Sequence, residues 1–167
     1  LCAASSIDYA TVYLGALRAG VVVAPLAPGS TRESLAGMVA NAEARWLFLD
    51  ADGAAVLGPA AAGDPPRVAL DEEEAAGQPF SVWLAPPGAR PQPVQPAPEW
   101  PFNIIYSSGT TGEPKGIVQS HGMRWSHLQR GLAFGYGPGT VTLLATPLYS
   151  NTTLVVFFPS LAFGATL

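Results

Sequence analysis

Two short runs dominated by apolar residues, 21–26 (VVVAPL) and 45–50 (RWLFLD), constrain this chain more than any other feature. Each follows a stretch that reads as a capped helix. In the first, Ser5 and Asp8 have capping-box spacing, Tyr9 or Ala10, Tyr13, Leu14 and Leu17 recur at helical intervals, and Gly20 stands where a left-handed terminator is wanted. In the second, Ser30 and Glu33 repeat the cap ahead of Leu35, Met38 and Val39. A continuous apolar run after a helix suits a strand covered on both faces. Helix, buried strand, helix, buried strand is the rhythm of an α/β fold, with a parallel or mixed sheet and flanking helices. A weak helix over 52–57 and a strand at 67–70 (RVAL) continue it, and the acidic residues 71–74 read as a solvated helix start.

The pattern breaks over 78–101, where prolines recur and no apolar period survives, so this segment reads as a surface connector. The expected organisation is therefore 1–77 as helix–strand repeats, 78–101 as connector and 102–167 as a second block, all within one incomplete domain. In that last block, "WPFNIIYSS" and "GIVQSHG" read as strands on either side of a loop. "MRWSHLQRGLAFG" reads as a helix with Trp125, Leu128 and Leu132 on one face. "TVTLLATPLYS" reads as a strand and "NTTLVVFFPSLAFGATL" as an apolar helix bent at Pro159.

Charged residues make up only 12% of the chain, about half the usual ~25%. So few charges predict that more protein covers part of the surface. The ends at Leu1 and Leu167 agree with a piece of a longer polypeptide. A net charge of −4 with scattered Arg and Lys provides no basic patch for nucleic acid. A lone Cys2 makes no internal disulfide, and no metal-binding spacing is present. No apolar run is long enough for a membrane span and no secretion signal opens the chain, so a cytoplasmic location is expected.

The stretch "YSSGTTGEPKGIVQSHG", residues 106–122, carries the chemistry. Loops at the carboxyl ends of strands are where α/β sheets bind ligands. Gly109, Gly112 and Gly116 let backbone N–H groups close around an anion. Ser107, Ser108, Thr110 and Thr111 add hydroxyl donors, and Lys115 after Pro114 adds a positive charge. The pattern is neither GxxxxGK[ST] nor GxGxxG.

In residue order this stretch resembles the phosphate-loop signature of the adenylate-forming (AMP-binding) superfamily, most like the acyl-CoA synthetases. The signature reads roughly [YF]-[TS]-S-G-[ST]-T-G-x-P-K-G-[VI] with a histidine beyond. The blocks "YLGALRAGVVVAPLAPGSTRESLAGMVANAEARWLF" and "TPLYSNTTLVVFFPSLAFGAT" resemble the family in order and approximate spacing.

The resemblance implies part of the large N-terminal domain of an enzyme that joins a carboxylic acid to ATP. Pyrophosphate leaves, and the acyl-adenylate is then passed to coenzyme A. Ser107, Ser108, Gly109, Thr110, Thr111, Gly112 and Lys115 would hold the phosphates, with Thr111 and Lys115 as the catalytic pair. Tyr149, Ser150 and Asn151 would border the acid. His121 is expected to be structural. The Mg²⁺ ligand and the other nucleotide motifs of the family lie downstream, so the isolated chain is expected to be inactive and to need the remainder of its polypeptide. Whether it forms a homodimer is left open.

One departure stands out. Where many acyl-CoA synthetases and luciferases carry a histidine after an aromatic residue, this chain has Ser150 and Asn151 after Tyr149. The alternatives, which share the loop, are an aryl- or amino-acid adenylation domain that loads a carrier protein, and a non-catalytic nucleotide-binding homologue.

Overall fold

The fold is described by a computed structural model over residues 1–73, 76–107 and 114–167. Helix α1 (Ile7–Arg18) starts at Ser6, whose hydroxyl accepts from the Tyr9 N–H at 3.0 Å. The expected cap, Ser5, instead accepts from the Leu148 N–H at 2.8 Å and ties the helix start to the turn before the last helix. Tyr9, Val12 and Tyr13 are buried, whereas Leu14 faces outward. Gly20, at φ 72°, ends the segment as expected.

Helix α2 (Arg32–Asn41) is capped by Thr31 rather than Ser30, and buries Leu35 and Met38. Strand β1 (Leu47–Leu49) then leads to α3 (Ala51–Leu57), capped by Asp50, and to β2 (Arg67–Ala69). Asp71 ends a turn and Glu72 lies in the irregular segment after it, rather than in a helix start. Asp71 accepts from the Ala51 N–H, and Glu72 accepts from the Ser81 N–H and hydroxyl.

The first residues of the expected connector are structured. β3 (Gln78–Pro79) and α4 (Phe80–Trp83) occupy them, and the irregular part lies between Leu84 and Trp100. β1, β2 and β3 form a parallel sheet in that order. Cys2 extends it by a parallel bridge to Leu49.

The second unit of pairing is an antiparallel hairpin of β4 (Pro101–Ser107) and β5 (Lys115–Ser120). Parallel and antiparallel pairing with helices around them make this the expected mixed α/β fold. The run 21–26, however, is not a strand buried on both faces. Val23 bridges to Asn103 of β4, and Ala24 and Leu26 exchange backbone hydrogen bonds with Leu1, but no continuous strand forms and Val21 and Val22 are exposed. The Val21 N–H is drawn back to the end of α1, to the Ala16 carbonyl, and Pro25 has no N–H to give. The expected strand over 140–150 is likewise reduced to a bridge between Val141 and Thr166.

Helix α5 (His121–Ala133) turns a different face inward from the one its apolar residues suggest. Trp125 and Leu132 are exposed, while Arg124 and Gly131 are buried. Helix α6 (Asn151–Ala162) runs through Pro159. The two helices meet where Gly131 faces Pro159; a Cβ on Gly131 would lie 2.7 Å from Pro159 Cβ, so only glycine permits this approach. Among the described residues no helix is long and apolar enough to cross a membrane.

Candidate functional site

The hairpin brings the ends of the glycine-rich stretch together. Ser107 is the last residue of β4 and Lys115 the first of β5, and they are paired directly across the ladder. Both are exposed. Ser108, Gly109, Thr110, Thr111 and Gly112 lie outside the described residues.

Beside Ser107 opens a cleft of about 460 Å³. One wall carries Pro25, Leu26 and Met38, from the run before α2 and from α2 itself. The hairpin supplies Ile105, Tyr106, Ser107 and Pro114, and the start of α6 supplies Tyr149, Ser150, Asn151 and Thr152. Four of the residues singled out by sequence, Ser107 and Tyr149–Ser150–Asn151, therefore share one cavity. Lys115 is next to it through Pro114 but does not line it.

Each wall is positioned by identifiable bonds. Ser150 is the N-cap of α6 and accepts from the Thr152 N–H at 3.3 Å. The Tyr106 hydroxyl reaches α2, donating within reach of the Met38 carbonyl (3.1 Å) and the Asn41 side-chain oxygen (2.7 Å). This clamps the hairpin to the opposite side of the cleft. Burial pushes the Tyr106 phenol above its ordinary value, so it stays protonated and able to donate.

Behind the start of α6 lies a polar cluster that sequence reasoning missed. Arg124 is 3% exposed, yet its Nη2 donates to the side-chain oxygens of Asn151 (2.9 Å), Gln119 and, at a longer 3.5 Å, Asn103. Asn103 in turn donates to the Tyr13 hydroxyl at 2.8 Å. The guanidinium lies 5.8 Å from the Phe102 ring centroid and 5.9 Å from that of Phe158. Burial lowers the Arg124 pKa, with Tyr13 acting in the opposite sense. Burial also pushes the Tyr13 phenol up to about 12. The missed signal was spacing: Arg124, His127, Leu128 and Gly131 recur at helical intervals, but reading only apolar residues selects the other face.

His121 sits at the first position of α5 with its ring edge-on to Phe102, centroids 5.0 Å apart, and it does not line the cleft. This packing agrees with a structural part.

The sequence profile of the AMP-binding enzyme family matches residues 1–167. The chain belongs to that family. It is 32% identical to phosphinothricin tripeptide synthetase PhsB of Streptomyces viridochromogenes over 97% of its own length and 13% of that protein. It is 29% identical to the L-proline--[L-prolyl-carrier protein] ligase of Pseudomonas fluorescens over 99% of its length and 33% of that protein. Among solved structures, a malonyl-CoA ligase with methylmalonyl-CoA and AMP bound superposes with a TM-score of 0.74 at 27% identity, over 99% of this chain and 34% of that one. The chain thus spans about a third or less of these three proteins, and its mixed α/β architecture matches that of the N-terminal domain of adenylate-forming enzymes.

Proposed function

We propose that this chain supplies the phosphate loop and one wall of the acid site of an adenylation enzyme, which activates a carboxylic acid with MgATP and passes it to a carrier-protein thiol. A carboxylate oxygen would attack the α-phosphorus, the bond to the β-phosphate would break, and pyrophosphate would leave. The thiolate would then attack the acyl carbon and release AMP. The observation that carries this reading is the shared cleft: Ser107 opens the glycine-rich stretch, and Tyr149, Ser150 and Asn151 face the same cavity from a distant part of the chain.

Residues 107–112 with Lys115 would hold the β- and γ-phosphates. Donors aimed at the charge that builds on the leaving pyrophosphate lower the barrier because they are already in place. Lys115, exposed at the loop's exit strand, adds a cation there. Among the described residues no three His, Cys, Asp or Glu side chains converge into a metal site.

The thiol acceptor divides two readings. The resemblance by sequence alone leaned towards coenzyme A. The prolyl-carrier ligase favours a carrier protein, and together with the tripeptide synthetase it favours an amino-acid-like substrate. The likeness to a malonyl-CoA ligase keeps coenzyme A as the second reading.

The test is acid-dependent exchange between ATP and pyrophosphate by the full polypeptide that carries these residues, with short, long, aryl and amino acids. Lys115→Ala is expected to cut exchange about 100-fold or more, the scale seen when one transition-state donor is removed. Exchange unaffected by this substitution would remove Lys115 from the chemistry. MgATP binding without exchange for any acid would instead favour a non-catalytic homologue.

A further inference from the structure

The buried Arg124 has a consequence for what the cleft can bind. A guanidinium has only donors. Each amide side chain that meets it must turn its oxygen inward and its NH₂ away. Asn103 does so, and its NH₂ goes to the Tyr13 hydroxyl at 2.8 Å. Asn151 likewise turns its oxygen to Arg124 at 2.9 Å, and Asn151 is also a wall of the cleft. Its NH₂ is therefore left for the cavity.

The cation behind it is only partly compensated, through its Nη2 bonds and the Phe102 and Phe158 rings. Among the described residues no carboxylate forms an ion pair with Arg124, and its Nε and Nη1 have no hydrogen-bond partner. Holding a charge in this state costs stability, so its retention calls for a geometric return. Positive potential in a low-dielectric wall also favours an anion nearby.

We propose that Arg124 is a positioning residue: it locks the Asn151 amide so that its N–H groups face the cleft and receive a carboxylate oxygen of the acid substrate. Arg124 itself touches no substrate. This inference rests on the cleft being the acid site, and it adds which atom meets the acid and what holds that atom.

Two readouts on the full polypeptide separate this proposal from the reading it rests on. The first needs no turnover. With ¹⁵N-asparagine labelling and the Asn151→Ala spectrum as assignment, the Asn151 side-chain NH₂ protons are expected to show NOEs to Tyr149 or Ser150. Stronger NOEs from these protons to the Arg124 guanidinium than to Tyr149 or Ser150 would mean the amide is turned the other way and would overturn the proposal, whatever the enzyme activates. The second is kinetic. Arg124→Met is expected to raise the KM for the acid about tenfold, the scale of one lost hydrogen bond, with the KM for ATP unchanged. Asn151→Leu is expected to do the same, and the double variant to do no more than either alone.

Arg124→Lys keeps a donor-only cation and is expected to recover part of the loss. Equal rises in both KM values, a fall in kcat alone, no change, or additive losses in the double variant would each overturn it. Should Arg124→Met not fold, Asn151→Asp carries the test: it keeps an oxygen for Arg124 but puts an acceptor where the donor was, and the KM for the acid must rise. Failure of every acid to support exchange in the wild type sinks the adenylation reading, and with it the acid contact, while the NOE pattern still decides the amide orientation.

Discussion

Beneath the parallel sheet, Leu35, Leu47, Leu49 and Ala69 pack with Cys2, Leu26 and Met38 into a wholly apolar cluster. Behind the hairpin, Asn103, Gln119 and Arg124 are comparably buried, and their neighbours are each other's amides and the faces of Phe102 and Phe158. The first region gains stability from every buried methylene, at about 25 cal/mol per Å² of apolar surface. The second gives part of that up, because each amide and the guanidinium must recover in hydrogen bonds what it lost in hydration. What the polar region gains is orientation. Apolar side chains slide and repack within a given volume, whereas a donor-only cation fixes which end of each amide faces where. The two regions meet at the cleft, whose apolar wall at Leu26 and Met38 belongs to the first and whose Asn151 wall leans on the second.

The sharpest break in this comparison is expected from Leu49→Ala. Leu49 is fully buried between Cys2 and the apolar cluster. Chemical denaturation should show a loss of about 2–5 kcal/mol, with kinetic constants per folded molecule unchanged. A shift in the KM for the acid would show that the two regions are not separable.

Asn103→Leu should cost less, about 1–3 kcal/mol, because it leaves the Tyr13 hydroxyl and an Arg124 donor short of a partner. A neutral result by the same unfolding measurement would mean that the polar region is not held by these bonds. The two N-caps provide a finer contrast. Ser6→Ala and Ser150→Ala should each cost about 1 kcal/mol, but only Ser150, in the cleft, should also change the KM for the acid.

The smallest effect concerns pH. His127 of α5 has a buried, unpartnered Nδ1, and its pKa is lowered by burial first and by Arg124 and Arg130 next. A base that binds its proton more weakly when folded loses stability as pH falls from about 6.5 towards its lowered value, and no further below it. His121 shifts in the same direction through burial. His127→Gln should therefore flatten, without abolishing, the fall in stability followed by thermal unfolding between neutral and mildly acidic pH. An unchanged slope would assign the effect to His121.

How far the sequence could be read follows the same division. Helices α1 and α2 were legible because caps and apolar period agree, although the capping hydroxyl proved to be one residue later in each, at Ser6 and Thr31. The two strands β4 and β5 were legible from apolar runs around a glycine-rich stretch, but their antiparallel pairing was not. Residues 21–26 misled because apolar composition does not say which N–H groups are free to pair: Val21 is bonded back to α1 and Pro25 has none. Strand β3 was hidden because two residues, one a proline, carry no period. The inner face of α5 was read backwards since hydropathy assigns Arg124 to solvent and Trp125 to the core, and the structure does the reverse. Of the candidate site, Ser107 and residues 149–151 were named in advance, but the cluster that orients Asn151 was not. A buried cation contradicts the hydropathy rule on which such reading depends.

The direct pairing of Ser107 with Lys115 has an entropic consequence. The ladder itself holds the ends of the loop together, so a ligand bound between them would not bear the cost of bringing those ends together, which rises only as the logarithm of loop length. Swapping the intervening residues for a different sequence would inherit the same fixed doorway. The hairpin then acts as a socket whose contents can change while its hinges stay in register.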